Sequence, residues 1–138
     1  VLNLHSGFAR MPVVDVEEVR LTGGLSKSDV WGQTIADVFE GEVVPVEGEG
    51  AALGAALQAA WVWLGETDSC MPIEDVVEPF IQLDESRRKV PRAEYTEIIQ
   101  AQKRLFAALV GRLRGLAAPD PFDLRVELLA LLGGERSH

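Results

Sequence analysis

Residues Leu21 to Ser28 read Leu-Thr-Gly-Gly-Leu-Ser-Lys-Ser and join a short apolar run to a helical pattern through a glycine pair. A strand that turns into a helix on paired glycine constrains the fold more than any other stretch here, because it calls for an α/β arrangement. Glycine lets the backbone come close to a ligand, and the N–H groups that open a helix attract anions. The same pair also serves an ordinary strand-to-helix turn. Both readings stay open on these residues alone.

The surrounding pattern supplies the elements. Leu2, Leu4 and Phe8 predict a short helix stopped near Met11-Pro12. Val16 to Leu21 reads as a strand with Val19 and Leu21 on one face. Ser26 or Ser28 caps a helix that runs to about Glu40, with Trp31, Ile35, Val38 and Phe39 on one face and Gly41 as its stop. Glu42 to Val46 is a second strand, and Pro45 favours an edge or terminal position for it. Glu47 to Gly50 turns the chain. Ala51 to Leu64 holds no charged residue and is apolar nearly all round, which predicts a helix buried on several sides. Pro72 and Pro79 bracket a short helix from Ile73 to Glu78. Arg92 to Leu113 is the longest helical pattern, closed by Gly115, and Asp120-Pro121 opens a last helix ending at Gly133.

Charge and cysteine bound the partners. With 22 acidic and 13 basic residues the formal charge is −9, which argues against a nucleic-acid surface and an anionic membrane surface. The charge-free run is too short to span a bilayer. Cys70 is the one cysteine, so no internal disulfide forms and a reducing, cytoplasmic setting is expected. The chain begins at Val1 in what reads as the middle of a helix, and is expected to be a piece of a longer protein.

Other candidate sites are weaker. Gly48-x-Gly50-x-x-x-Gly54 lacks the spacing of a dinucleotide loop, and Glu47 and Glu49 would repel a pyrophosphate, so it reads as a structural turn before a close-packed helix. His5 and His138 are too isolated for a zinc site. Glu40, Glu42, Glu47 and Glu49 read as a solvated edge. Arg87-Arg88-Lys89 reads as an exposed loop free to meet another domain. Trp31, Trp61 and Trp63 read as core or interface.

The ordered set carries more than its parts. Leu21 to Ser28, then Trp31, Gln33 and Ala36-Asp37-Val38, then Glu49-Gly50-Ala51-Ala52-Leu53-Gly54-Ala55-Ala56, resembles the C-terminal domain of the FGGY carbohydrate kinases, nearest to xylulokinase-like members. The resemblance implies an α/β fold: the helix-rich part of an actin-like, ribonuclease-H-like ATPase lobe with a few short strands. Residues 1–138 would then be the nucleotide-side lobe of a sugar kinase acting on a pentulose such as xylulose. Its cofactors would be ATP and Mg²⁺, and its partners an N-terminal lobe and the sugar. By position, Gly23 and Gly24 would contact the phosphate and ribose region, and Leu25 and Ser28 would lie towards the adenosine. Leu25 departs from the glycine or alanine common there. The family's catalytic aspartate lies upstream of anything in this sequence, so no catalytic residue and no metal ligand maps onto it. This segment alone is expected to be inactive, and a face cut from its partner lobe is expected to drive self-association. The alternatives are a non-catalytic assembly module with the same fold and a free-standing helical interaction protein.

Overall fold

Two short strands set the frame. In the computed structural model, which describes residues 1–11, 16–48, 50–67 and 71–134, β1 (Glu18–Leu21) pairs in parallel with β2 (Glu42–Pro45). The register sets Glu18 opposite Glu42 and Leu21 opposite Pro45. Parallel strands need a crossover, and α2 (Asp29–Phe39) supplies it. Val19 and Leu21 turn inward as the alternation predicts, while Val43, Val44 and Pro45 are all buried. Such a run marks a strand covered on both faces. Ile35 and Ala36 of α2 pack on Val43, and Val1, Val19, Leu21 and Phe39 close around them.

The second edge of β2 is also occupied. A strap, residues 82–92, runs back along it. Val43 and Lys89 exchange N–H···O bonds of 2.9 and 2.8 Å, and the Glu47 N–H donates to the Gln82 carbonyl at 2.8 Å. Leu83 bridges Val46, and both bridges are antiparallel. β2 is therefore a central row. Pro45 is tolerated because it is the last residue of the strand, the terminal position expected for it.

Most boundaries follow local chemistry. α1 (Leu2–Phe8) sets His5 and Phe8 edge-on to Phe39, with ring centroids 5.4 and 5.6 Å away. The Ser28 hydroxyl oxygen caps α2 by accepting from the Trp31 N–H at 3.4 Å. Gly115, at φ 68°, closes α5 (Thr96–Leu113), with Leu116 N–H returning to Gly111 and Gly115 N–H to Arg112. Asp120 caps α6 (Pro121–Gly134) through the Phe122 N–H at 2.9 Å. α6 packs on α5, joined by an Arg104–Glu127 ion pair.

Several expectations are corrected. Glu40, not Gly41, ends α2 in the left-handed conformation at φ 56°, its carboxylate held by Gln100 and Lys103 at 2.7 and 2.6 Å. Gly41 is needed for another reason: a Cβ there would overlap the Val16 carbonyl oxygen. α5 starts at Thr96 rather than Arg92, because Arg92 is extended and a single 3₁₀ turn, Ala93–Tyr95, intervenes. The charge-free helix, α3 (Gly50–Glu66), buries only Leu57; Trp61, Val62 and Trp63 are exposed. Among the described residues α3 packs mainly on α4 (Ile73–Val77), and one short helix covers only one side of it. Trp31 is exposed as well, so no tryptophan lies in the core. No helix of the described residues is long and apolar enough to cross a membrane. Cys70, Glu49 and His138 lie outside the described residues.

Candidate nucleotide-side site

The carboxyl ends of β1 and β2 point the same way, so the loops that leave them lie side by side. That end of a parallel pair is where α/β sheets bind ligands. After β1 the chain passes Thr22 and reaches Gly23 at φ 76°, ψ −159°, a conformation open essentially to glycine alone. A single 3₁₀ turn, Gly24–Lys27, follows and leads into α2. The bonds closing this turn run from the Ser26 N–H to Gly23 and from the Ser28 N–H to Leu25. The N–H groups of Gly24 and Leu25 are not spent on them, as expected at the start of a helical turn.

The residues singled out in the sequence take distinct places. Gly23 and Gly24 are exposed, and no heavy atom lies within 4 Å of where a Cβ would stand on either. Leu25 follows them at 54 % exposure. Ser26 is buried, and its hydroxyl donates to the Gly23 carbonyl at 2.7 Å, which locks the turn. Ser28 is half-buried and its oxygen is engaged in capping α2. Gly23, Gly24 and Leu25 thus form one open surface, and Ser28 stands at its base.

The second glycine loop belongs to the same place, which its spacing alone did not reveal. A Cβ on Gly50 would overlap the Thr22 hydroxyl oxygen. The first residue of α3 therefore abuts the end of β1. Gly48, at φ 85°, makes the turn that brings it there. Gly48 and Gly50 are structural, as expected, and set the first residue of α3 against Thr22, the residue before Gly23. The close packing expected of the helix is not found at Gly54, where a Cβ would meet no heavy atom within 4 Å.

Two ionic arrangements hold these elements and were missed in the sequence. The Asp37 carboxylate is 3 % exposed and meets Arg92 Nη2 at 2.6 Å. It also accepts from the Arg92 backbone N–H and from Gln33 Nε2, both at 3.0 Å. Burial pushes the Asp37 carboxyl up, but Arg92 and Gln33 outweigh that push and hold it below the usual carboxylate range. The Arg92 guanidinium is fixed over the Tyr95 ring, 4.1 Å from its centroid. The second arrangement centres on Arg88. It binds Glu85 through two nitrogens at 2.6 and 2.8 Å, and Glu18 and Glu42 through Nη1 at 2.9 and 2.7 Å. Hydrogen bonds to Arg20 and Arg88 hold the Glu18 carboxyl low. The basic run is therefore docked on the sheet, not a free loop. Of the acidic edge, Glu40 and Glu42 are engaged in ion pairs.

Comparison with known proteins agrees with the resemblance in the sequence. Residues 4–63 match the FGGY family of carbohydrate kinases, C-terminal domain. The chain is 43 % identical over 83 residues to a xylulose kinase of Haemophilus influenzae, covering 59 % of this chain and 16 % of the relative. It is 40 % identical over 63 residues to a gluconokinase of Bacillus licheniformis, covering 45 % of this chain and 12 % of the relative. Against a glycerol kinase of Thermococcus gammatolerans it is 38 % identical over 84 residues, covering 56 % of this chain and 17 % of the relative. The chain thus spans less than a fifth of the length of these relatives. No solved structure matches.

Proposed function

We propose, from the premise that residues 4–63 are a segment of an FGGY carbohydrate-kinase C-terminal domain, that this chain is the nucleotide-side lobe of a sugar kinase. One observation carries the reading. Both glycine loops, Gly23-Gly24 and Gly48 to Gly50, leave parallel strands at the same end and meet where Gly50 abuts Thr22. The matched segment spans both loops. ATP is the ligand this surface suits: Gly23 and Gly24 leave room for phosphate and ribose, and the N–H groups of Gly24 and Leu25, which the bonds closing the turn do not use, would supply donors. Leu25 offers an apolar edge on the adenosine side, and Ser28 holds the helix that follows. The actin-like architecture belongs to the same proposal, as does the assignment of residues 1–138 to one lobe.

The role is positioning. The turn would hold the nucleotide while an N-terminal lobe brings the sugar and a catalytic base. Mg²⁺ would enter with the ATP phosphates. When bound, it would offset charge on the transferring phosphoryl group. The acceptor is a sugar or polyol, with a pentulose such as xylulose favoured by the Haemophilus relative. The other relatives are named for gluconate and glycerol, which fits a segment that serves the nucleotide in all of them.

Gly24→Trp in the full-length protein tests the reading. It fills the open side of the turn, so ATP affinity and kinase activity should both collapse. Unchanged values would remove the nucleotide role and favour an assembly module, the reading to which exposed Leu25 and α3 also lend themselves. Robust phosphorylation of a pentulose by residues 1–138 alone would overturn the incomplete-lobe reading.

A further inference from the structure

We infer that Arg88 is a positioning residue for the two glycine loops: it clamps the amino ends of β1 and β2 and the strap together, and so sets where their carboxyl ends stand. The inference rests on the nucleotide reading of those loops. The register sets Glu18 directly across from Glu42 at the first position of each strand. Like charges facing each other across strands drive a pair apart. Arg88 Nη1 lies between them at 2.9 and 2.7 Å, while Nε and Nη2 grip Glu85 as a fork. Four guanidinium donors serve three carboxylates, a geometry that a lysine ammonium does not reproduce.

The connection to the loops is short and continuous. From Arg88 the strap follows β2 to the Leu83–Val46 bridge, and Gln82 then accepts from the Glu47 N–H at 2.8 Å. Glu47 is the residue before Gly48. On the other side, β1 runs from Glu18 to Leu21, about 10 Å at the usual strand rise, and delivers Thr22 to Gly50. Loss of Arg88 removes the ion pairs that tie the strap to both strands, leaving the backbone bonds to β2 to hold it alone, and takes the arginine from Glu42 and Glu85 while Glu18 keeps Arg20. The loops then lose their mutual register, although none of their own residues has changed.

The test uses Arg88→Met, Arg88→Lys and Arg88→Met with Glu42→Gln in the full-length protein. Three quantities are read: Kd for ATP, kcat with the acceptor KM, and amide exchange at Val43 and Lys89, whose N–H groups bond each other's carbonyls. Arg88→Met should speed exchange at both amides and weaken ATP binding about three- to tenfold, with kcat at saturating ATP and the acceptor KM unchanged. Arg88→Lys should fall between. Adding Glu42→Gln, which removes one unbalanced carboxylate, should recover part of the ATP affinity. Wild-type exchange and affinity in Arg88→Met would overturn the clamp. Faster exchange with unaltered ATP affinity would overturn the positioning role. Absence of ATP binding in the unaltered protein would overturn the nucleotide reading and the positioning role with it, and the exchange data would still decide on the clamp.

Discussion

Replacing Gly23 and Gly24 one at a time with alanine separates backbone strain from ligand approach. Both glycines are exposed, and a Cβ on either meets no heavy atom within 4 Å. Sterics from neighbours are therefore equal and absent. The conformations differ. Gly23 has φ 76° and ψ −159°, where an alanine costs about 1–3 kcal/mol. Gly24 lies outside the positive-φ region. In both variants the unfolded chain loses freedom, worth about 0.4–1 kcal/mol in favour of the fold. The balance makes Gly23→Ala destabilising by about 1–2 kcal/mol and Gly24→Ala neutral or slightly stabilising. With a urea slope of roughly 1–3 kcal/mol per molar, the two unfolding midpoints should stand about 1 M apart. ATP titration then reads the second property. Gly24→Ala puts a methyl group on the open side of the turn and should weaken ATP about tenfold at unchanged stability. Equal midpoints for the two variants would refute the strain argument. Full ATP affinity in Gly24→Ala would refute the approach argument.

Asp37→Ala should destabilise by about 1–3 kcal/mol, less than for a fully buried pair, because the Arg92 side chain is 43 % exposed. The Asp37 carboxyl is held low in the fold, so its contribution is complete above the usual carboxylate pKa and is lost as pH falls through the depressed folded value. The stability gap between the native protein and Asp37→Asn, followed by urea melts, should therefore narrow as pH drops below about 4; a constant gap would refute the charge pairing. Gly50→Ala should destabilise by about 1–3 kcal/mol through overlap with the Thr22 hydroxyl, and a double-mutant cycle with Thr22→Ala should show that the second change relieves part of the cost. Residues 1–138 should self-associate through the exposed faces of α3 and α6, where Trp63, Phe122, Val126 and Leu129 stand in solvent. Light scattering that gives a clean monomer at high concentration would count against this.

Element boundaries were legible wherever one residue's local chemistry decides them. The serines announce the start of α2, where the structure takes Ser28 of the two candidates, Pro72 that of α4, Asp120-Pro121 that of α6, and Gly115 the end of α5. Glu40 shows the limit: a non-glycine residue took the left-handed position because Gln100 and Lys103, far along the chain, hold its carboxylate. The exposure of α3 was not legible, because an uncharged helix states its need for cover and not what stands beside it. On the site, the glycine pair was readable from composition and order. The contact of Gly50 with Thr22 was not, since it depends on the two strands lying parallel. Asp37 with Arg92, and Arg88 with Glu18 and Glu42, join residues that only the tertiary fold brings together, and periodicity says nothing about such pairs.

The central row of the sheet takes its two neighbours from different stretches of the chain. β1 reaches β2 across a single helix, whereas the strap arrives only after α3 and α4 have intervened. Closing the longer loop costs more chain entropy, and long-range pairing is slower to form. The βαβ unit is thus the natural early structure, and the strap docks onto an edge already made. By the same measure it is the part that leaves first. Opening of the strap exposes the edge of β2 while Ile35, Ala36 and Val43 still pack together, so the molecule can lose the order of its glycine loops without losing its core.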